Sequence, residues 1–237
     1  MNKFAIVFGG SRGIGAACVE TLARDGYDVA LTFVSNPPES SASAGKVEAY
    51  RVDICNAQEV ADVFDRMIGD FGRKPDLVVC NAGINVPPSP LGSFDPDNFR
   101  RLVETNIVGA FNILQQASRH VADGGSIIAT TTSLVRHAAP GLGPYSASKA
   151  AVESLLRSLA KELAGRSVRV NGVAPGPVDT DLFRAGKDDA AVQRSAAMSP
   201  FNRVGRPEEI AEVVSFLASD RASWVSGQIV QPNGGLI

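Results

Sequence analysis

The sequence predicts an open, doubly wound α/β fold in which a parallel sheet of about seven strands carries helices on both faces. Two observations lead there. Short apolar runs recur at residues 4–8, 29–34, 47–52, 77–80, 126–130, 168–173 and 228–230, and continuous runs of this kind suit strands covered on both faces. Between them lie helical patterns. In one, Val60, Val63, Phe64, Met67, Ile68 and Phe71 step by three and four along a single stripe. Asn56 followed by Glu59 gives that helix a capping-box start.

The 237 residues suffice for one large domain, and no repeat or linker divides residues 1–237. The Ser/Ala/Pro-rich stretch 36–45 falls between two strand runs and reads as a surface connection. With 44% hydrophobic and 20% charged residues the chain has the composition of an ordered globular protein. Its net charge of -2, with both signs interspersed, offers no field for nucleic acid or an anionic membrane. No apolar run approaches the roughly 18 residues of a membrane span. The opening MNKFAIVFGG lacks a secretory h-region and cleavage site, so a cytoplasmic location is expected. Cys18, Cys55 and Cys80 are odd in number, far apart and without metal-ligand spacing, and read as reduced core thiols.

Directly after the first strand run comes Gly9-Gly10-Ser11-Arg12-Gly13-Ile14-Gly15, then a helical stripe of Ile14, Cys18, Thr21 and Leu22. Strand, glycine turn and helix N-terminus make a pyrophosphate cradle of the Rossmann-like kind, where backbone N–H groups and the positive helix end face an anion. The spacing G-x-x-x-G-x-G is not the G-x-G-x-x-G fingerprint, so context must support it. Asn81-Ala82-Gly83 supplies some, following the fourth run at the carboxyl edge where such sheets bind ligands.

Tyr145 and Lys149 stand four apart in an Ala/Leu-rich helical stretch and so share a face. A phenol with a pKa of about 10 is a poor catalyst near neutrality, and an adjacent ammonium is expected to lower it. Asn106 lies on the apolar side of a pattern made by Phe99, Leu102, Val103 and Ala110, where a lone amide is costly unless bonded. His120 and His137 have neither ligand spacing nor an evident partner, and surface or loop roles are expected.

Taken in order, the glycine loop from Gly9 to Gly15, Asn81-Ala82-Gly83, Tyr145-x-x-x-Lys149 and Pro175-Gly176 make the chain resemble the short-chain dehydrogenase/reductase family, in its compact single-domain form, over essentially its full length. The resemblance implies an NAD(P)-dependent enzyme moving a hydride between a nicotinamide and a small-molecule carbonyl or alcohol substrate. It implies coenzyme contacts from Gly9, Ser11, Arg12, Gly13, Ile14 and Gly15. Asp53 and Ile54 would flank the adenine, Asn81, Ala82 and Gly83 would form the floor, and Pro175, Gly176, Val178 and Thr180 would face the carboxamide. Tyr145 would donate the proton, Lys149 would hold the ribose hydroxyls, and Asn106 would hold a water in a relay to the lysine. Phe8 departs from the pattern, since the family usually carries threonine there, which leaves one loop hydrogen bond without its donor.

A hydroxyl after the fifth strand would bond the substrate oxygen. Most relatives place it thirteen positions before the tyrosine, which here is Thr132, while Ser133 stands twelve before. Ser133 is the expected residue because Ser133-Leu134-Val135 resembles the family's Ser-Val-Val; Thr132 is the alternative. The coenzyme expected is NADP, with NAD possible. About 20 residues after the glycine loop, where NAD enzymes place an acid on the ribose, stands Phe33, followed by Val34, Ser35 and Asn36. Arg12, with Ser35 and Asn36, would meet a 2′-phosphate.

Residues 181–205, with Leu182, Phe183, Met198 and Phe201, would form a substrate lid. Arg203-Val204-Gly205-Arg206-Pro207-Glu208-Glu209 and Ser226-Gly227-Gln228 with Asn233-Gly234-Gly235 most resemble the 3-oxoacyl-acyl-carrier-protein reductase branch, whose members are commonly homotetramers. The expected function is NADP(H)-dependent reduction of a ketone or 3-oxoacyl group to a secondary alcohol. The alternatives are an NAD-linked secondary-alcohol or sugar dehydrogenase, and a non-catalytic dinucleotide-binding sensor or scaffold.

Overall fold

The computed structural model describes residues 2–37 and 45–237. Most of the stretch expected as a surface connection, residues 38–44, lies outside the described residues. Seven parallel strands form one sheet in the order β3-β2-β1-β4-β5-β6-β7. They are β1 (Lys3–Phe8), β2 (Tyr27–Phe33), β3 (Val47–Arg51), β4 (Leu77–Cys80), β5 (Ser126–Thr130), β6 (Arg169–Val173) and β7 (Ile229–Val230). Each expected strand run is present, with β2 beginning earlier, at Tyr27.

Two hydrophobic cores sandwich the sheet. On one face α2 (Ala57–Phe71), α4 (Ala110–His120) and α5 (Gly143–Glu162) bury Phe64, Met67, Ile113 and Leu156 against Phe4, Ile6, Phe8 and Ile127. On the other, α1 (Gly13–Arg24) and α8 (Pro207–Ala218) bury Cys18, Leu22, Ile210 and Leu217 against Val7, Val29 and Val79. Full burial of such a side chain stabilises by about 1.5–3 kcal/mol, which fixes the strand register and, with it, the loops at the carboxyl ends.

The expected start of α2 is present in altered form. The Asn56 side chain accepts from the backbone N–H groups of Gln58 and Glu59. Glu59 turns back past Asn56 to accept from Asp53 N at 3.0 Å, tying the end of β3 to the helix. Between α3 (Pro96–Leu102) and α4 the chain runs through a π-helical segment, Val103–Gly109, which contains Asn106. Such widened turns displace a side chain from the regular helical stripe. Phe99, expected on the apolar side, is therefore 45% exposed while Asn106 is buried.

Strand order reverses between β1 and β4, so the crevice at the switch point opens between their carboxyl ends. The glycine loop and Asn81-Ala82-Gly83 follow those ends. No helix among the described residues is long and apolar enough to cross a membrane.

Candidate active site

The glycine loop is shaped by close backbone approach. Gly9 has φ +75° and a Cβ there would lie 2.8 Å from the Cα of Ala82; a Cβ on Gly15 would lie 1.9 Å from the Gly9 carbonyl oxygen. Only glycine lets β1 turn into α1 against the floor segment. Asn81 Nδ2 donates to that same Gly9 oxygen at 3.0 Å, and Thr130 donates to Asn81 Oδ1 at 3.1 Å. Phe8 packs its ring against Phe64, 5.3 Å between centroids. The loop is fixed instead by Thr32, whose hydroxyl accepts from Gly9 N and whose carbonyl accepts from Gly10 N, both at 3.0 Å. Thr32 lies in a strand run, and nothing in the sequence pairs it with a loop some twenty residues earlier.

The N-terminus of α1 suits an anion. Arg12 stands at the cap in extended conformation, makes no side-chain cap, and the first turn carries no acid. Its leading N–H groups are therefore without the side-chain acceptor most helices supply. Ser11, Gly13 and Ile14 are partly exposed on this loop. A Cβ on Gly13 would lie 3.2 Å from Thr180 Cγ2, so the segment from Pro175 and Gly176 through buried Val178 to Thr180 closes over the far side of the cradle. This donor-rich concavity fits the pyrophosphate of a dinucleotide.

At the adenine end the expected residues behave differently from one another. Asp53 is exposed and its carboxylate caps a turn, accepting from Cys55 N at 3.0 Å. Ile54 is buried; a Cβ on Gly109 would lie 2.7 Å from its side chain, and Asn112 holds its carbonyl at 2.9 Å. Ser35 is exposed just beyond β2. Arg51, passed over in the sequence because it is not next to a motif, is the register partner of Phe33, and its Nε donates to Val34 O at 3.0 Å. Its neighbours Tyr50 and Val52 are buried in the α2 side of the sheet, so Arg51 lies on the α1 side, as Arg12 does. Among the described residues neither arginine makes an ion pair.

At the centre, Lys149 is only 6% exposed and its Nζ donates to Thr130 O at 3.0 Å. Asn106 is 1% exposed and fully bonded: Nδ2 donates to Ile84 O (2.9 Å) and Ser148 Oγ (3.1 Å), and Oδ1 accepts from Ile84 N (2.8 Å). A Cβ on Gly83 would lie 3.0 Å from Asn106 Oδ1 and 3.1 Å from Lys149 Nζ, which brings amide, ammonium and floor together. Tyr145 sits in the first turn of α5, partly buried.

Burial sets the titration of this pair. Desolvation pushes the Tyr145 phenol up to about 12 and pulls the Lys149 ammonium below the ordinary amine range. In the protein without coenzyme, burial shifts both groups toward their neutral forms, for the phenol the direction opposite to the lowering expected from the lysine, because desolvation disfavours each charged form. The phenol therefore keeps its proton near neutral pH. Burial likewise pushes Cys18 and Cys80 up to about 12, making them inert core thiols.

The segment after β5 separates the hydroxyls. Ser133 is 1% exposed and donates to Ala174 O at 2.7 Å; Thr131 reaches Val173 O at 3.5 Å, on the same β6 side. The backbone is still extended at Thr132, with φ -159° and ψ 143°. Strand alternation therefore groups Thr132 with Thr130, whose side chain touches Asn81 of the floor. Thr132 Oγ1 accepts from Leu134 N at 3.3 Å, which leaves its proton to donate. Ser133, the expected substrate-facing hydroxyl, thus has its proton bound to a carbonyl in this structure, whereas that of the alternative, Thr132, is free to donate.

The remaining expected segment, 181–205, contains α6 (Asp181–Arg184) and α7 (Asp189–Ala197), with Leu182, Met198 and Phe201 exposed.

Residues 9–237 match the family model described as enoyl-(acyl carrier protein) reductase. The chain is 38% identical to a short-chain type dehydrogenase/reductase of Picea abies, covering 100% of this chain and 93% of that one. It is 34% identical to a 3-oxoacyl-[acyl-carrier-protein] reductase of Staphylococcus epidermidis, covering 100% and 99%. Its fold matches a short-chain dehydrogenase of Burkholderia cenocepacia J2315 in complex with NADP, with a TM-score of 0.88, 31% identity, and 99% and 97% coverage. With the motifs in order, the sheet topology and these full-length similarities in agreement, the chain belongs to the short-chain dehydrogenase/reductase family of oxidoreductases.

Proposed function

We propose that this enzyme is an NADP(H)-dependent reductase of a ketone or 3-oxoacyl group, with Tyr145 as proton donor and Thr132 as the second donor to the substrate oxygen. The observation that carries the reading is the convergence of Lys149 Nζ and Asn106 Oδ1 on Gly83, with Lys149 four residues beyond Tyr145 on α5. NADPH, when bound, supplies the hydride. As the carbonyl carbon is reduced, Tyr145 gives its phenolic proton to the oxygen and Thr132 donates a hydrogen bond to it. Lys149 would hold the ribose hydroxyls of the coenzyme, and Asn106, fixed to the floor through both Ile84 bonds, would hold the water of a relay to the lysine. Residues 181–205 act as the lid over the substrate.

A panel of ketones, aldehydes and 3-oxoacyl thioesters, followed by NADPH oxidation, tests this reading. Turnover of at least one class is expected, and binding of NADPH with no turnover of any would leave the sensor reading in its place. A homotetramer in the cytoplasm is the companion proposal. Free thiols, Cys18 and Cys80 buried and Cys55 partly exposed, suit a reducing compartment, and exposed Phe111, Phe216 and Trp224 suit subunit contacts; light scattering reads the assembly.

Coenzyme choice follows from charge. Arg51 spans the end of β2 where an NAD enzyme has its acid, and Arg12, exposed at the cap of α1 in the glycine loop, is the second cation offered to a 2′-phosphate. A charge-assisted hydrogen bond of about 1.5–3 kcal/mol gives roughly a 10- to 150-fold preference. NADPH is therefore expected to bind at least about tenfold tighter than NADH by fluorescence titration, and Arg51→Ala and Arg12→Ala to erode that gap while leaving NADH affinity as it was. Equal dissociation constants for the two coenzymes in the parent enzyme would refute the assignment.

A further inference from the structure

We propose that Glu153 is a positioning residue for the catalytic hydroxyl, acting through a buried clamp that brackets Thr132; the proposal rests on the reading of Thr132 given above. Glu153 is four residues beyond Lys149 on the buried face of α5, and its side chain is 2% exposed. A carboxylate so placed must be matched, and it is. Its Oε1 accepts from Thr131 Oγ1 at 3.2 Å and from Arg136 Nη1 at 3.3 Å, its Oε2 accepts from Arg136 Nη1 at 3.2 Å, and Arg157 Nη1 lies 3.7 Å away.

The two partners from the β5 loop flank the short 3₁₀ turn Ser133–Val135 and its cap Thr132. Thr131 is the residue before Thr132, and Arg136 follows the turn. One carboxylate thus ties the upstream and downstream ends of this turn to the helix that carries Tyr145 and Lys149. The side of the turn toward the β6 end is fastened separately, by Ser133 Oγ to Ala174 O and Ser133 N to Pro175 O at 2.9 Å, while Ser146 Oγ to Leu134 O at 2.8 Å makes a further tie from the middle of the turn to α5. Removing the carboxylate leaves the turn joined to α5 only at its middle, through Ser146 and Leu134, so its Thr131–Thr132 end can shift relative to α5 while the β6 end still holds Ser133.

A buried ion pair of this kind is weak evidence for stability, because an apolar replacement of the same volume is often as stable. Its consequence here is geometric: catalytic groups must stay within about 1 Å of the productive arrangement, and a misplacement of that size costs on the order of 10²-fold. A clamp that relaxes the hydroxyl by a fraction of that distance should cost kcat on the order of tenfold. Among the described residues the hydrogen bonds and ion pairs of Glu153 go to Thr131, Arg136 and Arg157 and not to the coenzyme cradle or the lid, so coenzyme affinity and substrate KM should be unaffected.

The test compares Glu153→Gln and the near-isosteric Thr131→Val, singly and in a Thr132→Ala background, with NADPH titration and thermal melting of each variant. Each single variant is expected to lower kcat about tenfold at unchanged NADPH affinity, and to add less than about twofold once Thr132 is alanine, because coupled positions are not additive. Losses that multiply fully in the Thr132→Ala background, or single variants with parental kcat, overturn the clamp. If Glu153→Gln fails to fold, Thr131→Val alone decides, since it removes one side of the bracket and keeps the carboxylate paired with both arginines. Should Thr132→Ala itself keep parental kcat, the underlying reading of Thr132 fails instead, which is a distinct result.

Discussion

Tyr145→Phe is expected to abolish most turnover while leaving the fold and NADPH affinity intact, with kcat lower by about 10²–10⁴, the range for removal of a positioned general acid. The substitution deletes one oxygen from a side chain in the first turn of α5 and touches neither the glycine cradle nor the Asn106 network. A variant retaining most of its kcat would show that another group delivers the proton. The pKa supplies an independent readout. Because burial holds the phenol at about 12, well above its ordinary value near 10, no tyrosinate from Tyr145 should form as the pH passes 10 in the protein without added coenzyme. The sign for stability follows. The folded phenol keeps its proton more tightly than the unfolded one, so its contribution is whole below the unfolded value and is lost as the pH rises toward 12. Parent and Phe variant should accordingly diverge in melting temperature only above about pH 10. Tyrosinate absorbance from Tyr145 below that pH would contradict the desolvated pocket.

Much of this architecture could be read from the sequence because the signals were local. Continuous apolar runs mark buried parallel strands, and the glycines of the loop mark positions where a side chain would strike the neighbouring backbone, as Gly9 and Gly15 do against Ala82 and the Gly9 carbonyl. Features made by distant strands meeting were not legible. Thr32 takes over the loop contact that Phe8 cannot make, and Arg51 reaches the β2 end only because β3 pairs with β2 in the register Phe33 to Arg51. The direction in which burial shifts Tyr145 was not legible for a similar reason. Spacing of four residues announces that an ammonium is near, but the hydration lost by both groups depends on the sheet edge and helices packed around them, which spacing does not contain. Asn106 was found by its incongruity on an apolar stripe, and the π-helical turn that seats it has no sequence signature of its own.

The division of labour between Thr132 and Ser133 gives the second large effect. A serine followed by two aliphatic residues invited the motif match, yet the chain stays extended through Thr132 and the serine falls on the β6 side, where Ala174 O takes its proton. Thr132→Ala is therefore expected to lower kcat by about 10²–10³, the scale for losing one donor to a developing oxyanion, with Thr132→Ser retaining activity because it keeps the hydroxyl. Ser133→Ala should behave in the opposite way. It removes the partner of a buried carbonyl, a loss of about 1–3 kcal/mol, so its melting temperature should fall by several degrees, at roughly 2–4 °C per kcal/mol for a chain of this size. Its kcat, measured below that melting temperature at saturating NADPH, should stay near parental. The crossed pattern separates the roles, because stability and turnover move in different variants. A Ser133→Ala enzyme that melts normally but turns over a hundredfold more slowly, beside an active Thr132→Ala enzyme, would return the catalytic hydroxyl to the serine and require the turn to rotate away from Ala174 when substrate binds.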